Sequence, residues 1–343
     1  MNPNADPRSL FISFFDHDPE RLAAIIDFAA RLKAHDGPAL ERARAHISDR
    51  ILGMVFFNPS LRTRTSFEAA MLRFGGHAIC LNVGGDTWQL EHRDGVVMNE
   101  GAAEHIREAA PVLSRYCDAL AVRTFAQLKS AAEDEQDALM RAFAAQATVP
   151  LINMESATEH PCQALADWLT VRERCGTTAR RRFTLTWAPQ AKAVPMAVPN
   201  SAVLMSAAAG MQLTIAHPPG YDLSPRVLDE TRRLAAQTGG SVELTHDQRA
   251  ACRDAEVVYV KSWGAAQLYG KPGEQNASFA QHADWMVTPA HLATDRTILM
   301  HCLPVRRNVV IADAALDDRR CVVVDQAENR LWAQAAVLAE VLR

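Results

Sequence analysis

The chain has 343 residues, of which 48% are hydrophobic and 22% are charged, and its formal net charge is −4. This length predicts about two domains with cores of their own, so disorder of the bulk of the chain is excluded. No basic block stands out, which argues against a nucleic-acid partner, and no apolar run approaches the roughly 18–20 residues of a membrane helix.

The N-terminus lacks the basic start and apolar run of a secretory signal. Seven scattered cysteines without a CxxC pair are typical of reduced thiols. They therefore predict a cytoplasmic protein without a disulfide framework or a metal site.

Short apolar runs alternate with longer helical patterns. In the first half, strands are predicted at 51–57, 77–83, 119–125 and 149–154, and helices at 63–75, 101–115 and 161–176. In the second half, strands are predicted at 183–189, 211–218, 255–263, 297–304 and 321–326, before a closing amphipathic helix. The polar, glycine-containing segment 264–285 is predicted to be a mobile surface loop or a lid.

This alternation predicts an α/β fold with doubly wound parallel sheets that helices cover on both faces. Such sheets bind ligands where loops leave the carboxyl ends of the strands. Candidate site residues are therefore sought directly after the predicted strands.

The segment FFNPSLRTRTSFE at 56–68 leads from a buried strand through a polar turn into a helix. Free N–H groups and the positive end of the helix dipole meet where a helix begins. Two arginines and three hydroxyl groups cluster there, on Ser60, Arg62, Thr63, Arg64 and Thr65. A single S/T-x-R triplet is typical of a helix cap beside a solvated arginine, but this density of donors favours a phosphate site.

The same segment resembles the S-x-R-T-R carbamoyl-phosphate signature of the aspartate and ornithine carbamoyltransferases. Four further features follow in the order that the family has them. They are Arg123 after a strand, HPCQ at 160–163 for the family's HPxQ, HCLP at 301–304, and Arg330 in AENR. The resemblance therefore covers most of the chain.

The resemblance implies how carbamoyl phosphate would be bound. The residues that would hold its phosphate are Ser60, Leu61, Arg62, Thr63 and Arg123. No metal or organic cofactor is implied, because phosphate is a good leaving group and positioning supplies much of the acceleration.

The resemblance also implies roles around the carbamoyl group. His160 would donate to its oxygen, Gln163 would accept from its NH2 group, and Arg330 would add positive charge near the oxygen. The backbone carbonyls of Cys302 and Leu303 would accept hydrogen bonds from the attacking amine and the carbamoyl nitrogen. Taken singly, a histidine before proline usually caps or packs, a cysteine could be a nucleophile, and a late arginine is usually solvated.

The acceptor region departs from the standard ornithine enzymes, which carry D-x-x-x-S-M-G. Here AEVVYVKSWGA occupies 255–265 and includes Lys261. A lysine repels the free α-ammonium of ornithine but can bind the carboxylate or acyl oxygen of an acylated ornithine. The stretch therefore resembles the N-acylornithine branch of the family, which implies that Glu155 and Lys261 contact the acceptor.

The resemblance to that branch implies two further features of this chain. Its members form homotrimers, in which Trp88 would reach into a neighbouring subunit's site and contact both substrates there. Its chain also passes through a proline-rich loop, here near 187–199, which implies a deep trefoil knot in the second domain. An alternative for Trp88 is a surface aromatic used only for subunit packing.

Two sequence positions bear on which acyl group members of the branch accept. Acetyl-specific members carry a glutamate in a helix at the position of Ala103 and a lysine where Val310 stands. Ala103 neither repels a succinyl carboxylate nor fills its space, which favours N-succinylornithine, although succinyl-type members have proline there. Arg306 and Arg307 are candidates to meet the additional carboxylate.

The resemblance thus implies an N-acylornithine carbamoyltransferase of arginine biosynthesis. Carbamoyl phosphate would bind a first domain at 1–150, the acceptor a second domain at 151–325, and a C-terminal helix at 326–343 would pack on the first domain. Alternatives are an ordinary ornithine carbamoyltransferase and a non-catalytic anion-binding protein on the same fold. A nicotinamide enzyme is disfavoured because no GxGxxG follows the first strands.

Overall fold

The computed structural model describes residues 10–343. In the first half of the chain the strands are β1 (Leu10–Phe11), β2 (Ile51–Phe56), β3 (His77–Asn82), β4 (Gln89–Glu91), β5 (Ala102–His105), β6 (Ala119–Arg123) and β7 (Leu151–Glu155). The helices are α1 (Pro19–Lys33), α2 (Gly37–Ile47), α3 (Arg62–Arg73), α4 (Ile106–Tyr116), α5 (Ala131–Asp134), α6 (Ala138–Gln146) and α7 (Pro161–Cys175).

The second half contains the strands β8 (Arg182–Trp187), β9 (Gln212–Ala216), β10 (Ser241–Thr245), β11 (Val257–Lys261) and β12 (Ile298–Met300). Its helices are α8 (Ala197–Ala208), α9 (Pro225–Thr238), α10 (Gln248–Arg253), α11 (Pro272–Gln281), α12 (Asp313–Leu316) and α13 (Val323–Val341). Among residues 10–343, no helix combines the length and the apolar character needed to cross a bilayer.

Two five-stranded parallel sheets organise these elements. Their strand orders are β1-β7-β6-β2-β3 and β10-β9-β8-β11-β12. The central strands are apolar and almost wholly buried, as expected for sheets covered by helices on both faces. The predicted α/β fold with two parallel-sheet domains is confirmed, whereas the knot stays a prediction.

Strand β7 lies in the first sheet, where it pairs with β1 and β6. A boundary at residue 150 assigns this strand to the second domain and is wrong by at least that strand. The apolar side chains of β7 complete the first core. The sequence alone does not show to which of the two sheets this strand belongs.

Three further expectations are wrong locally. Ala102–His105 is a short strand paired with β4, and only then does α4 begin, so Ala103 does not lie in a helix. The β-branched run at 321–326 is not a strand, because its residues start α13, whose packing overrides strand propensity. The segment 264–285 contains α11, and its Phe279 and Trp285 are buried against Trp187, so it is not a bare loop.

Helix α13 connects the two halves. It packs against α1, α2 and α3 as well as α7, and nearly its whole circumference is buried. A helix buried on all sides carries any polar side chain into the interior. Its Gln326 and Arg330 are both buried in this way, and they reach the site described next.

Candidate active site

The site lies where β2, β6 and β7 end and where α3 and α7 begin. Arg123 and Glu155 are the last residues of β6 and β7, Arg62 starts α3, and His160 directly precedes α7. Because the strands are parallel, their carboxyl ends share one edge of the sheet. Helix α13 contributes Arg330 to the same edge.

A buried threonine brings two guanidinium groups together. The Thr63 hydroxyl accepts from Arg330 Nη2 at 2.6 Å and from Arg123 Nη1 at 3.2 Å. The Thr63 N–H donates to Ser60 Oγ at 3.1 Å, which orders the turn before α3. Residues of three separate elements, α3, β6 and α13, therefore converge at this helix start.

Burial and mutual repulsion disfavour the charged forms of the guanidinium groups gathered here. Burial, and then the positive charge of Arg123, lowers the pKa of Arg330 to about 10. Burial also lowers the pKa of Arg62, whose Nε has no hydrogen-bond partner among residues 10–343. Gathered guanidinium groups with donors to spare form a seat for a multivalent anion.

Glu155 and His160 lie beside this cluster. Glu155 Oε2 is 2.6 Å from Arg123 Nη1 and 3.5 Å from His160 Nε2. Burial raises the pKa of Glu155 against the opposing effect of Arg123. Burial, followed by the positive charges of Arg330 and Arg123, holds the pKa of His160 well below its usual range. The imidazole is therefore neutral near pH 7 and carries a single N–H.

The neighbouring amide is held on both sides. Gln163 Oε1 accepts from Arg330 Nη1 at 3.1 Å, and its Nε2 donates to Asp167 Oδ1 at 2.7 Å. The backbone N–H of His160 donates to Ser201 Oγ at 2.7 Å. His160 and Gln163 thus both lie beside the arginine cluster, His160 through Glu155 and Gln163 through Arg330.

Residues that follow or end strands of the second sheet lie close enough to this cluster for their charges to interact with it. Lys261 ends β11, and its Nζ donates to the Ser262 carbonyl at 3.1 Å. Burial, and then the charges of Lys261 and Arg62, keeps the pKa of His301 well below its usual range. Burial raises the pKa of the Cys302 thiol. A thiol that stays protonated is a poor nucleophile, which argues against the alternative role for Cys302.

Three predicted residues lie outside this buried cluster. The side chain of Leu61 is 76% exposed and that of Trp88 is 59% exposed, with Trp88 Nε1 donating to Glu104 Oε2 at 2.6 Å. Ala103 is exposed on β5. The structure of one chain therefore does not bring Trp88 or Ala103 to its own arginine cluster.

The two candidate arginines for a succinyl group differ. Arg307 is paired with Asp313 and Asp317 at 2.8–2.9 Å, so an acceptor carboxylate would have to compete with these two aspartates. Arg306 is exposed and remains a candidate. Val310 is buried in an apolar cluster, so no charge is placed at that position.

Sequence reasoning missed Asp167, Ser201 and Gln326. Asp167 lies four residues after Gln163, so the two share one face of α7, and that spacing was a usable signal. Ser201 and Gln326 are distant along the chain from the residues that they hold. No group of three or more potential metal ligands occurs within residues 10–343.

A titratable group directly before His160 gives a pH prediction. Glu159 accepts from the Ser13 hydroxyl and from the Phe14 N–H at 2.9 Å, and burial raises its pKa to about 7. Because the folded-state pKa lies above the unfolded value, the folded protein retains a proton that the unfolded chain releases. This contribution to stability is present in acid and is lost as the pH rises through 7.

We expect the free energy of unfolding of the wild type, relative to Glu159→Gln, to fall by about 1 kcal/mol between about pH 6 and pH 8. Urea denaturation across this pH range measures the difference. Glu68→Gln on α3 makes the same side-chain change outside this contact and is the control for the substitution itself. A parallel pH dependence of the wild type and Glu159→Gln would contradict the assignment.

Family models match both halves of the chain. "Aspartate/ornithine carbamoyltransferase, carbamoyl-P binding domain" matches residues 10–173, and "Aspartate/ornithine carbamoyltransferase, Asp/Orn binding domain" matches residues 196–341. The chain therefore belongs to the aspartate/ornithine carbamoyltransferase family.

Individual proteins similar to this chain indicate which branch of the family it resembles. An N-acetylornithine carbamoyltransferase of Xanthomonas campestris is 38% identical over 96% of this chain and 96% of its own length. An N-succinylornithine carbamoyltransferase of Bacteroides thetaiotaomicron is 34% identical over 86% and 88%. A crystal structure of acetylornithine transcarbamylase complexed with acetylcitrulline has 38% identity and a TM-score of 0.92, covering 96% of this chain and 98% of the other. These similarities support the N-acylornithine branch.

Proposed function

We propose that this chain transfers the carbamoyl group of carbamoyl phosphate to the δ-amino group of N2-succinyl-L-ornithine or N2-acetyl-L-ornithine. The products are the N-acylcitrulline and phosphate, and the reaction serves arginine biosynthesis. The observation that carries the proposal is the convergence of Arg123 and Arg330 on Thr63, next to the neutral His160 and the oriented Gln163.

The phosphate of carbamoyl phosphate occupies the seat at the start of α3. Arg62, Arg123 and the hydroxyls of Ser60 and Thr63 surround it, and Leu61, with its side chain exposed, contributes its backbone. The phosphate dianion neutralises guanidinium groups that repel one another in the free protein. This relief of repulsion favours binding of a dianion over a monoanion.

The transfer step requires stabilisation of a negative oxygen. The δ-amine attacks the carbamoyl carbon, and the carbonyl oxygen gains charge that His160 and Arg330 stabilise. Gln163 Oε1 accepts from the carbamoyl NH2 group. The bond between the carbamoyl carbon and the phosphate oxygen then breaks, phosphate takes the bonding electron pair, and the proton that the amine loses passes to the departing phosphate.

The backbone after β12 suits the incoming amine. The carbonyl oxygens of Cys302 and Leu303 accept no hydrogen bond from other residues within 10–343. They are therefore available to accept hydrogen bonds from the amine and from the carbamoyl nitrogen. Leu303 has a left-handed backbone with φ of +58°, which is costly for a branched side chain and is maintained by the surrounding structure.

The acceptor's α-substituents face Glu155 and Lys261. Positive charge at Lys261 disfavours a free α-ammonium and favours the α-carboxylate or an acyl oxygen. Within the N-acyl class we propose a preference for succinyl over acetyl. Its support is the small uncharged side chain at Ala103, together with an exposed Arg306 that is free to meet a carboxylate.

An acceptor panel tests the proposed function. The protein is incubated with carbamoyl phosphate and, separately, with ornithine, N2-acetylornithine, N2-succinylornithine or aspartate, and the ureido product is measured. Turnover of the two acylated ornithines supports the proposal. Turnover of free ornithine alone would establish the ordinary enzyme instead, and binding of carbamoyl phosphate without product would establish an anion-binding protein.

A charge placed at Ala103 should change the acyl preference. Because Ala103 is exposed and lies outside the cluster of its own chain, it would act on the acceptor in a neighbouring subunit's site. There the Ala103→Glu carboxylate opposes the succinyl carboxylate, so we expect kcat/KM for N2-succinylornithine to fall about tenfold relative to N2-acetylornithine. Ala103→Gln has nearly the same size without the charge and is the matched control. Equal effects of both variants on both acceptors would contradict a role for this position in selecting the acyl group.

We also propose a homotrimer in which Trp88 completes a neighbouring subunit's site. The exposure of its side chain, which donates to Glu104 and not to the cluster of its own chain, supports this arrangement. Trp88→Ala and Arg62→Ala should each be inactive alone. In randomly mixed trimers about one quarter of the sites would pair an intact cluster with an intact Trp88, so the mixture should recover up to about a quarter of wild-type activity.

The control for this experiment mixes Arg62→Ala with His160→Ala. Both residues belong to the cluster of a single chain, so this mixture should recover no activity. Size-exclusion chromatography with light scattering measures the oligomer, and a steady-state assay measures the recovery. Failure of the Trp88→Ala mixture to recover would overturn the shared site.

A further inference from the structure

Asp167 occupies the middle of α7 and is 1% exposed. Its Oδ1 accepts two hydrogen bonds, from Gln163 Nε2 and from Gln326 Nε2, both at 2.7 Å. The two donors come from different helices, since Gln326 lies on α13. One carboxylate therefore joins two helices that each carry side chains into the candidate active site.

We propose that Asp167 is a positioning residue for carbamoyl transfer: its carboxylate fixes the amide of Gln163 and, through Gln326, the turn that carries the Cys302 and Leu303 carbonyls. The inference rests on the proposed function of the site. It concerns what holds the reacting groups, because Asp167 itself lies behind Gln163.

The first effect is on the orientation of Gln163. A side-chain amide has one accepting end and one donating end, and an ionised carboxylate can only accept. Asp167 therefore requires the NH2 group of Gln163 to face it, which directs Oε1 to the other side. That oxygen accepts from Arg330 Nη1 at 3.1 Å. The accepting end is thus directed into the site, where the carbamoyl NH2 group needs an acceptor.

The second effect is on the turn after β12. Gln326 Oε1 accepts from the His301 N–H at 2.9 Å, and His301 Nδ1 accepts from the Leu303 N–H at 2.9 Å. Because the Gln326 NH2 group is held by Asp167, the oxygen is presented to His301. The hydrogen-bonded series from Asp167 through Gln326 and His301 ends at Leu303, one of the two residues whose carbonyls face the amine.

The charge of Asp167 argues for the same role. No ion pair within 4 Å involves Asp167 among the described residues, and Arg330 acts on it only as a more distant positive charge, while burial raises its pKa to about 6. A buried carboxylate without a cation is destabilising unless hydrogen bonds compensate. The interactions that oppose this rise come first from Gln326 and Gln163, whose amides they orient, and then from the Tyr259 hydroxyl and the charge of Arg330.

The test compares Asp167→Ala and Asp167→Asn. Alanine removes the acceptor, whereas asparagine keeps an oxygen that can accept from both amides. We expect Asp167→Ala to lower kcat about 100-fold, a loss of the size that a small displacement of reacting groups produces. KM for carbamoyl phosphate should change little, because the phosphate seat is untouched. Asp167→Asn should restore most of kcat.

Two other variants control for damage to the helix interface. Thr170→Val removes a polar contact between α7 and Asn329 of α13 but touches neither amide, so its kcat should stay near wild type. Gln326→Leu interrupts only the series to His301 and should lower kcat less than Asp167→Ala. If Asp167→Ala does not fold, the kcat values of Gln326→Leu and Asp167→Asn still test the positioning role of Asp167.

Crystal structures of the wild type and Asp167→Ala give a readout that needs no turnover. We expect the Gln163 amide to lose its hydrogen bond with Arg330 in the variant. An Asp167→Ala kcat equal to that of Thr170→Val, or an Asp167→Asn variant as defective as Asp167→Ala, would overturn the inference. A wild type that binds carbamoyl phosphate without transfer would overturn the proposed function, while the Gln163 orientation would still decide the inference.

Discussion

An Arg62→Ala variant is expected to lose about 1,000-fold or more in carbamoyl transfer and to keep its fold. The guanidinium of Arg62 lies at the start of α3, and its Nε has no hydrogen-bond partner among residues 10–343. Burial lowers its pKa, so the group is held partly desolvated without a compensating contact at Nε. Its removal should therefore spare stability while removing one wall of the phosphate seat.

Two measurements separate these effects. Steady-state kinetics give turnover, and a thermal-shift titration with phosphate gives binding at the seat, which we expect to be lost. Arg64→Ala is the matched control, because Arg64 lies on the same helix, is exposed, and pairs with Glu68 at 3.1 Å. Near-normal turnover in Arg62→Ala, or an equal loss in Arg64→Ala, would contradict the phosphate seat.

The parts of the fold that sequence predicted are those where local pattern and tertiary environment agree. The apolar runs at 51–57 and 119–125 are buried central strands, as predicted. The run at 321–326 is also rich in apolar residues but leads into a helix, because α13 is stabilised by burial against four other helices and not by its own propensity.

The same distinction applies to the site. Arg62, His160 and Gln163 follow strands or begin helices, so their position along the chain indicated a shared edge. Asp167 and Gln326 lie inside helices, where a polar residue is usually solvent-facing. Only the packing of α13 against α7 shows that these two face each other, and a single sequence contains no signal for that contact.

The electrostatics of the site also depend on this packing. Arg330 comes from the last helix, yet its guanidinium lies with Arg123 on Thr63. Their combined charge acts on the His160 imidazole, which is only 3.5 Å from a Glu155 oxygen. The neighbouring carboxylate favours the imidazolium, but burial and the cations prevail, and the pKa of His160 falls.

Replacing His160 with alanine is therefore expected to lower kcat about 100- to 1,000-fold, the loss typical for a donor to a developing oxyanion. His160→Asn keeps an N–H donor on a shorter side chain and should lose less. The neutral imidazole already donates from one nitrogen, so no protonation step is required for this role. The effect should appear in kcat more than in KM for carbamoyl phosphate, since charge on the oxygen develops only during transfer.

The pH dependence distinguishes this neutral donor from an imidazolium. Because the pKa of His160 lies well below 6.5, the histidine stays neutral from about pH 6 to about pH 9. The ratio of wild-type to His160→Ala kcat/KM should then be constant across that range, and the ratio cancels titration of the two substrates. A ratio that falls as the pH rises through about 6.5 would mean that the protonated form is the active one, and it would remove the neutral-donor mechanism.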